Sequence, residues 1–325
     1  MRVALDYRPA LVNREGIGRY ARELVRALVR LPDAPEIGLY EVGRAPRVFD
    51  ESALGLAGAR VRRLASRMPR SLRERLPFRG FGPADRALGG VELFHRILPS
   101  TPRLARARTS IAIAELPSRG SAAEAAWSAE LGAAAAVFVF SADYRARVAE
   151  RFGLAAERIH QVPVGCEHWQ RALASPVPRA DPPRVLVLGS TGHAELRAAL
   201  ARLSRPTRPI ELCLVRELGV GEAELPALVA SASALVHLVP EAGTAVTPLE
   251  ALALGTPVVV PRLPAFEEAL GEQVFWAEPL ETALESALAS AADPQATRAR
   301  IAQARAFSWE SSARAHLAVW RRLTS

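Results

Sequence analysis

The stretch Thr247-Pro248-Leu249-Glu250-Ala251-Leu252-Ala253-Leu254-Gly255-Thr256-Pro257 sets the reading of this chain. Its apolar residues fall on a helix. Gly255 stops that helix, and Pro257 leads into the compact apolar run Val258-Val259-Val260, a buried strand. Glu250 is the one charged residue in the stretch. Read locally, it stands early on an apolar helix, where the helix dipole favours a carboxylate.

The same alternation extends in both directions. Apolar strands are expected at Val3-Ala4-Leu5, 37–42, Leu93-Phe94, 110–113 and 136–140, and then at 159–164, Val185–Leu188, 210–215 and 234–238. Helices are expected between them, at Arg19 to about Leu31, Ala142–Phe152 and Glu222–Ser231. Strands alternating with helices imply parallel sheets covered by helices. A length of 325 residues suggests two domains, and the Pro/Ala/Ser-rich stretch 170–183 reads as the linker. Ligands of such sheets bind beyond the strands' carboxyl ends.

The composition is 50% hydrophobic and 23% charged, normal for a folded chain. The formal charge is +8, and all 42 basic residues are arginine. Any phosphate clamp must therefore use arginine, backbone N–H groups or helix N-termini. Cys166 and Cys213 are too far apart for a zinc ligand pair, and no metal is expected. No apolar run reaches bilayer-spanning length, and the first residues read as a strand rather than a leader. The expected compartment is the cytoplasm. Residues 58–80 interleave Arg60, Arg62, Arg63, Arg67, Arg70, Arg73, Arg75 and Arg79 with apolar residues. They read as a basic amphipathic helix kinked at Pro69, either a solvated face or a surface facing the lipid of an anionic membrane or an anionic acceptor. No nucleic-acid module accompanies the basic charge. No G-x-S-x-G elbow surrounds Ser141, and no G-x-G-x-x-G follows the first strand.

Four segments together resemble family 4 of the GT-B glycosyltransferases, the retaining, nucleotide-sugar-dependent enzymes. They are Asp6-Tyr7-Arg8-Pro9 with Gly16-Ile17-Gly18-Arg19-Tyr20; Ser141-Ala142-Asp143-Tyr144 with Arg158 to Gly165; Glu241 to Pro257; and Phe307-Ser308-Trp309-Glu310. The resemblance implies an α/β GT-B fold, two Rossmann-like parallel-sheet domains facing a cleft. It would place an acceptor-side domain at 1–170 and a donor-side domain at 171–305. A C-terminal helix at 306–325 would pack back on the first domain. It implies sugar transfer from a nucleotide-sugar to a cell-envelope lipid, polysaccharide or other glycan acceptor. No cofactor is implied, the nucleotide-sugar being a substrate.

By that resemblance Glu250 would accept hydrogen bonds from the donor ribose. Gly243, Thr244 and Thr247 would cradle the diphosphate or sugar hydroxyls, next to Gly189 and Ser190 after the first strand of the second domain. Gly16 and Gly18 would let backbone approach the donor phosphate or the acceptor; the plainer reading is a tight turn. Glu241, Glu115 and His95 are the candidates for chemistry at the sugar.

The departures are specific. The family's partner glutamate falls at Ala242, with Glu241 one residue off. The usual Arg/Lys pair after the first strand of the second domain is missing, leaving Arg197 and Arg216 as substitutes. Ala114-Glu115 stands where the family often has His-Asp. The second domain also looks one strand short. The alternative is therefore a degenerate, non-catalytic GT-B protein acting as a partner or glycan-binding subunit.

Overall fold

The computed structural model describes residues 1–13, 16–49, 54–69, 82–97, 102–188, 193–207 and 209–325. The chain divides into two compact units, one of Met1–Pro163 with Trp309–Ser325 and one of Val164–Ser308.

The first unit is a seven-stranded sheet in the order β3-β2-β1-β4-β5-β6-β7, parallel throughout. Its strands are β1 (Arg2–Asp6), β2 (Glu36–Val42), β3 (Val61–Ser66), β4 (Leu93–Arg96), β5 (Arg108–Ala112), β6 (Ala136–Val139) and β7 (Ile159–Gln161). The apolar residues of the central strands, Val3-Ala4-Leu5, Leu93-Phe94, Ile111-Ala112 and Ala136–Val139, are buried, as a parallel sheet covered on both faces requires. Local signals bound the helices. Ser141 Oγ accepts from the Tyr144 N–H at 3.3 Å to start helix Ala142–Phe152, and Gly153 ends it.

One expectation fails here. Residues 61–66 form an edge strand instead of part of a basic amphipathic helix. Pairing with β2 decides this: Ile37 lies beside Val61 and Val42 beside Ser66. Arg63 turns to Glu41, with Nε 3.2 Å from the carboxylate that also holds Arg47. Arg70, Arg73, Arg75 and Arg79 lie outside the described residues.

The last helix, Trp309–Thr324, belongs to this first unit and packs on helix Gly16–Leu28 and β4. Its buried stripe is Trp309, Ala313, His316, Leu317 and Trp320, a helical spacing. Beneath the stripe runs a closed polar chain. Trp320 Nε1 donates to Ser110 Oγ at 3.2 Å, and Ser110 Oγ lies 2.9 Å from His95 Nδ1. His95 Nε2 lies 3.2 Å from the Tyr20 hydroxyl, which lies 2.8 Å from His316 Nε2. His316 Nδ1 lies 2.7 Å from the Ser312 carbonyl oxygen, so it must donate there. That fixes the remaining protons in one direction: Tyr20 donates to His316, His95 to Tyr20, and Ser110 to His95.

The second unit is a five-stranded parallel sheet in the order β12-β11-β10-β8-β9. The strands are β8 (Arg184–Val187), β9 (Glu211–Leu214), β10 (Ala234–Val236), β11 (Val258–Val260) and β12 (Phe275–Trp276). Between β9 and β10 stand only the one-turn helix Val215–Leu218 and helix Leu225–Ser231, so the sheet ends at β9. The helix expected at Glu222–Ser231 begins at Leu225.

Candidate functional site

In the second unit the chain leaves β8 toward β9 on one side and leaves β10 toward β11 on the other. This reversal opens a crevice at the carboxyl ends of β8 and β10, the usual ligand position in such sheets. His237, directly after β10, ties the two strand ends: its Nδ1 donates to the Leu188 carbonyl, and its own N–H reaches Val259 O at 3.0 Å. Neither His237 nor His168, described below, was singled out by the sequence. The signal for His237 was a lone histidine at the carboxyl end of a central apolar run.

The chain from His237 leads into helix Val246–Ala253. Its N-cap is Ala245, which has no side chain to satisfy the first N–H groups, and its first turn carries no acidic residue. Pro248 has no N–H to offer, so Val246 and Thr247 provide the open donors. Thr244 Oγ1 is buried there with no hydrogen-bond partner among the described residues. Gly243 is buried, Thr247 half-buried and Glu241 exposed. An uncapped helix start beside a buried hydroxyl is a seat for an anion.

Arg216 stands two residues beyond Leu214, which pairs with Val187 at the end of β8. It is therefore exposed at the same carboxyl edge of the sheet. Arg197 is exposed on helix His193–Leu203. Gly189 and Ser190 lie outside the described residues.

Glu250 differs from its expected setting. It is the fifth residue of its helix, beyond the first turn, and fully buried. Its Oε1 lies 3.1 Å from His168 Nε2, on helix His168–Ala172. Gln170 of that helix donates to the Ala253 carbonyl, so two side chains clasp helix Val246–Ala253 one turn apart. Cys166 also adjoins this pair: burial pushes its thiol pKa up, and the Glu250 and Glu167 charges push it further. The helix dipole does not explain Glu250; packing against the 166–170 segment does.

Half-buried Arg179 and buried Arg300 hold the far end of the same helix. Arg179 donates to the carbonyls of Ala230, Ala232 and Gly255 at 2.7, 2.6 and 2.9 Å, and to Thr256 Oγ1 at 3.1 Å. Arg300 Nε donates to Gly255 O at 2.9 Å. Burial, then the nearby Arg179 charge, lowers the Arg300 pKa to about 10.

The first-unit candidates separate. His95 is completely buried with both ring nitrogens engaged, so it is a structural residue of the polar chain and not an acceptor-site group. Glu115 is exposed just beyond β5, at the carboxyl edge of that sheet. Gly16 opens helix Gly16–Leu28 with free space around its α-carbon. Gly18 is different: a β-carbon there would fall 2.1 Å from the Asn13 carbonyl oxygen. Close turn packing accounts for Gly18 without a ligand.

No family model matches the chain, and no curated protein matches it by sequence. Solved structures do match. The sucrose-phosphate synthase of Thermosynechococcus elongatus is similar over 99% of this chain and 99% of its own, with a TM-score of 0.70 at 20% identity. A glycosyltransferase from Rickettsia africae is similar over 99% and 98%, at 0.67 and 14%. The catalytic domain of starch synthase IV from Arabidopsis thaliana, bound to ADP and acarbose, is similar over 99% and 98%, at 0.65 and 13%.

The fold is GT-B. Likeness at these identities establishes architecture, and the chemistry of this GT-B chain rests on its own residues.

Proposed function

We propose that this chain is a glycosyltransferase of GT-B family 4, using a nucleotide-sugar donor and retaining the anomeric configuration. The observation that carries the reading is the uncapped start of helix Val246–Ala253 at the switch point of the second sheet, beside the buried Thr244 hydroxyl. Glycosyl transfer from a nucleoside diphosphate sugar leaves negative charge on the departing diphosphate. In this reading the N–H groups of Val246 and Thr247 and the Thr244 hydroxyl donate to that diphosphate, and Arg216 neutralises part of its charge. Such preorganised donors contribute on the order of 10²–10³ in rate each. The second unit is then the donor side and the first unit the acceptor side, with Glu115 a candidate at the acceptor. The acceptor class is a glycan or lipid-linked glycan of the cell envelope. No described helix is long and apolar enough to cross a membrane. The reading places the chain in the cytoplasm, in peripheral contact with the membrane surface.

The test is a calorimetric titration with UDP, GDP and ADP, followed by a donor-hydrolysis assay with the matching sugars. The reading expects one nucleotide to bind saturably and Thr244→Val to weaken it. Absence of binding and turnover across the whole panel would overturn it in favour of a non-catalytic partner subunit.

A further inference from the structure

A second feature lies at the opposite, amino-terminal edge of the first unit's sheet. There the first residues of β1, β2 and β3 surround a cavity of about 290 Å³. Arg2, Glu36, Arg60 and Arg62 bear on it, over an apolar wall that includes Ile37, Leu88 and Val91. Strand register brings these groups together: Arg2 pairs with Glu36, and Gly38, which contributes no side chain to the floor, pairs with Arg62.

Two of the guanidiniums meet at one turn. Arg2 Nη1 donates to the Gly89 carbonyl oxygen at 2.8 Å. Gly89 has φ +91°, and a β-carbon there would fall 2.6 Å from Arg62 Nη1, so the Arg62 guanidinium lies directly against the Gly89 backbone. Like charges are thus held near one another, and neither Arg60 nor Arg62 has an ion-pair partner among the described residues. The lining carries three guanidiniums against the single carboxylate of Glu36. Arg63, the neighbour in sequence, is by contrast ion-paired with Glu41.

We propose that this cavity is a binding site for a phosphate monoester with a compact, partly apolar body. Arginine forks match phosphate oxygens in pairs, and the excess positive charge suits a dianion. At about 290 Å³ the cavity stands at the lower bound of ligand pockets, roughly 300 Å³, too small for a whole nucleotide-sugar. The Leu88 and Val91 wall receives the apolar body. The site is independent of the donor seat, which lies in the other unit, so it holds whether or not the transferase reading does. The monoester has two sources, a free metabolite or the headgroup of a phosphatidic acid-type lipid.

Inorganic phosphate, phenyl phosphate and benzyl alcohol are titrated into the full chain at fixed ionic strength, with binding followed by calorimetry. Sedimentation with phosphatidylcholine vesicles, with and without phosphatidic acid, provides the lipid arm. Phenyl phosphate is expected to bind about tenfold tighter than inorganic phosphate, and benzyl alcohol not at all. Arg62→Ala should weaken phenyl phosphate about tenfold, and Arg60→Ala with Arg62→Ala should abolish it. Arg67→Ala, on the same basic segment but outside the cavity, should leave it unchanged. Vesicle binding that requires phosphatidic acid and is lost in the double variant assigns the lipid source; binding of the free ester alone assigns the metabolite. Phosphate-ester affinity that is absent, or equal in the wild type and the double variant, overturns the proposal.

Discussion

The Tyr20 hydroxyl lies 2.8 Å from His316 Nε2, joining residues 296 positions apart. Both side chains are buried, and the contact ties the final helix to helix Gly16–Leu28. Burial lowers the His316 pKa from 6.5 to about 4, and burial, then the neighbouring His316, holds His95 well below its usual value. Both imidazoles are therefore neutral in the folded state, as the proton order of the chain requires. Between about pH 4 and pH 6.5 the unfolded chain binds protons that the folded chain does not. Stability is thus full above that window and lost as pH falls through it, by about 3 kcal/mol from His316. Urea melts at pH 7.5, 6 and 4.5 should show this slope, and His316→Gln should flatten it. An unchanged slope in that variant would sink the assignment.

Tyr20→Phe removes the central hydroxyl and leaves two ring nitrogens buried without partners. The expected loss is on the order of 2–3 kcal/mol at pH 7.5. It should appear together with increased solvent exposure of Trp309 and Trp320, read by tryptophan fluorescence.

The strands were legible because parallel strands buried on both faces read as continuous apolar runs, as at Val3-Ala4-Leu5 and Val258-Val259-Val260. The polar chain was not. His95 and His316 are ordinary lone histidines in sequence, and their partners arrive from distant elements. β3 was misread for a related reason: interleaved arginines at 60–67 suit a surface helix as well as an edge strand, and only the β2 neighbour decides. Within the site, the 243–247 turn and its helix start were visible. The burial of Glu250 was not, because its partner His168 lies on a helix of its own within what read as the end of the first domain.

Glu250 and His168 should behave as a buried pair. Glu250→Ala should cost about 1–3 kcal/mol by denaturant unfolding, since the buried contact with the His168 ring is lost. Leucine at both positions should recover most of that loss. Nucleotide titration of Glu250→Gln then separates the two roles. Wild-type affinity in a stable Glu250→Gln protein would make the carboxylate purely structural; a drop of about tenfold or more would restore the ribose contact.

Arg216 and Arg197 offer a paired comparison. Both are exposed, so Ala at either position should leave thermal stability within about 0.5 kcal/mol. Arg216→Ala should weaken nucleoside diphosphate binding about tenfold and nucleoside monophosphate binding less, whereas Arg197→Ala should do neither. Equal affinity for UDP and UMP in all three proteins would remove Arg216 from the donor site.

Arg179 supports the site from behind. Arg179→Ala removes this donor from the Ala230 and Ala232 carbonyls, while Gly255 O keeps Arg300 and the Thr256 hydroxyl keeps its bond to Val229 O, a loss on the order of 2 kcal/mol. Hydrogen exchange should quicken first at Gly255 and along helix Val246–Ala253. Uniform quickening over the whole second unit would argue instead for global unfolding alone.

The placement of Trp309–Thr324 in the first unit has a consequence for biosynthesis. A nascent chain emerging at roughly 5–20 residues per second completes Val164–Ser308 before that last helix leaves the ribosome. Until then Tyr20, His95 and Ser110 have no lid and no His316 or Trp320 to bond. The N-terminal unit must wait, partly unsealed, for the last part of this sequence, while the unit translated after it is already free to fold.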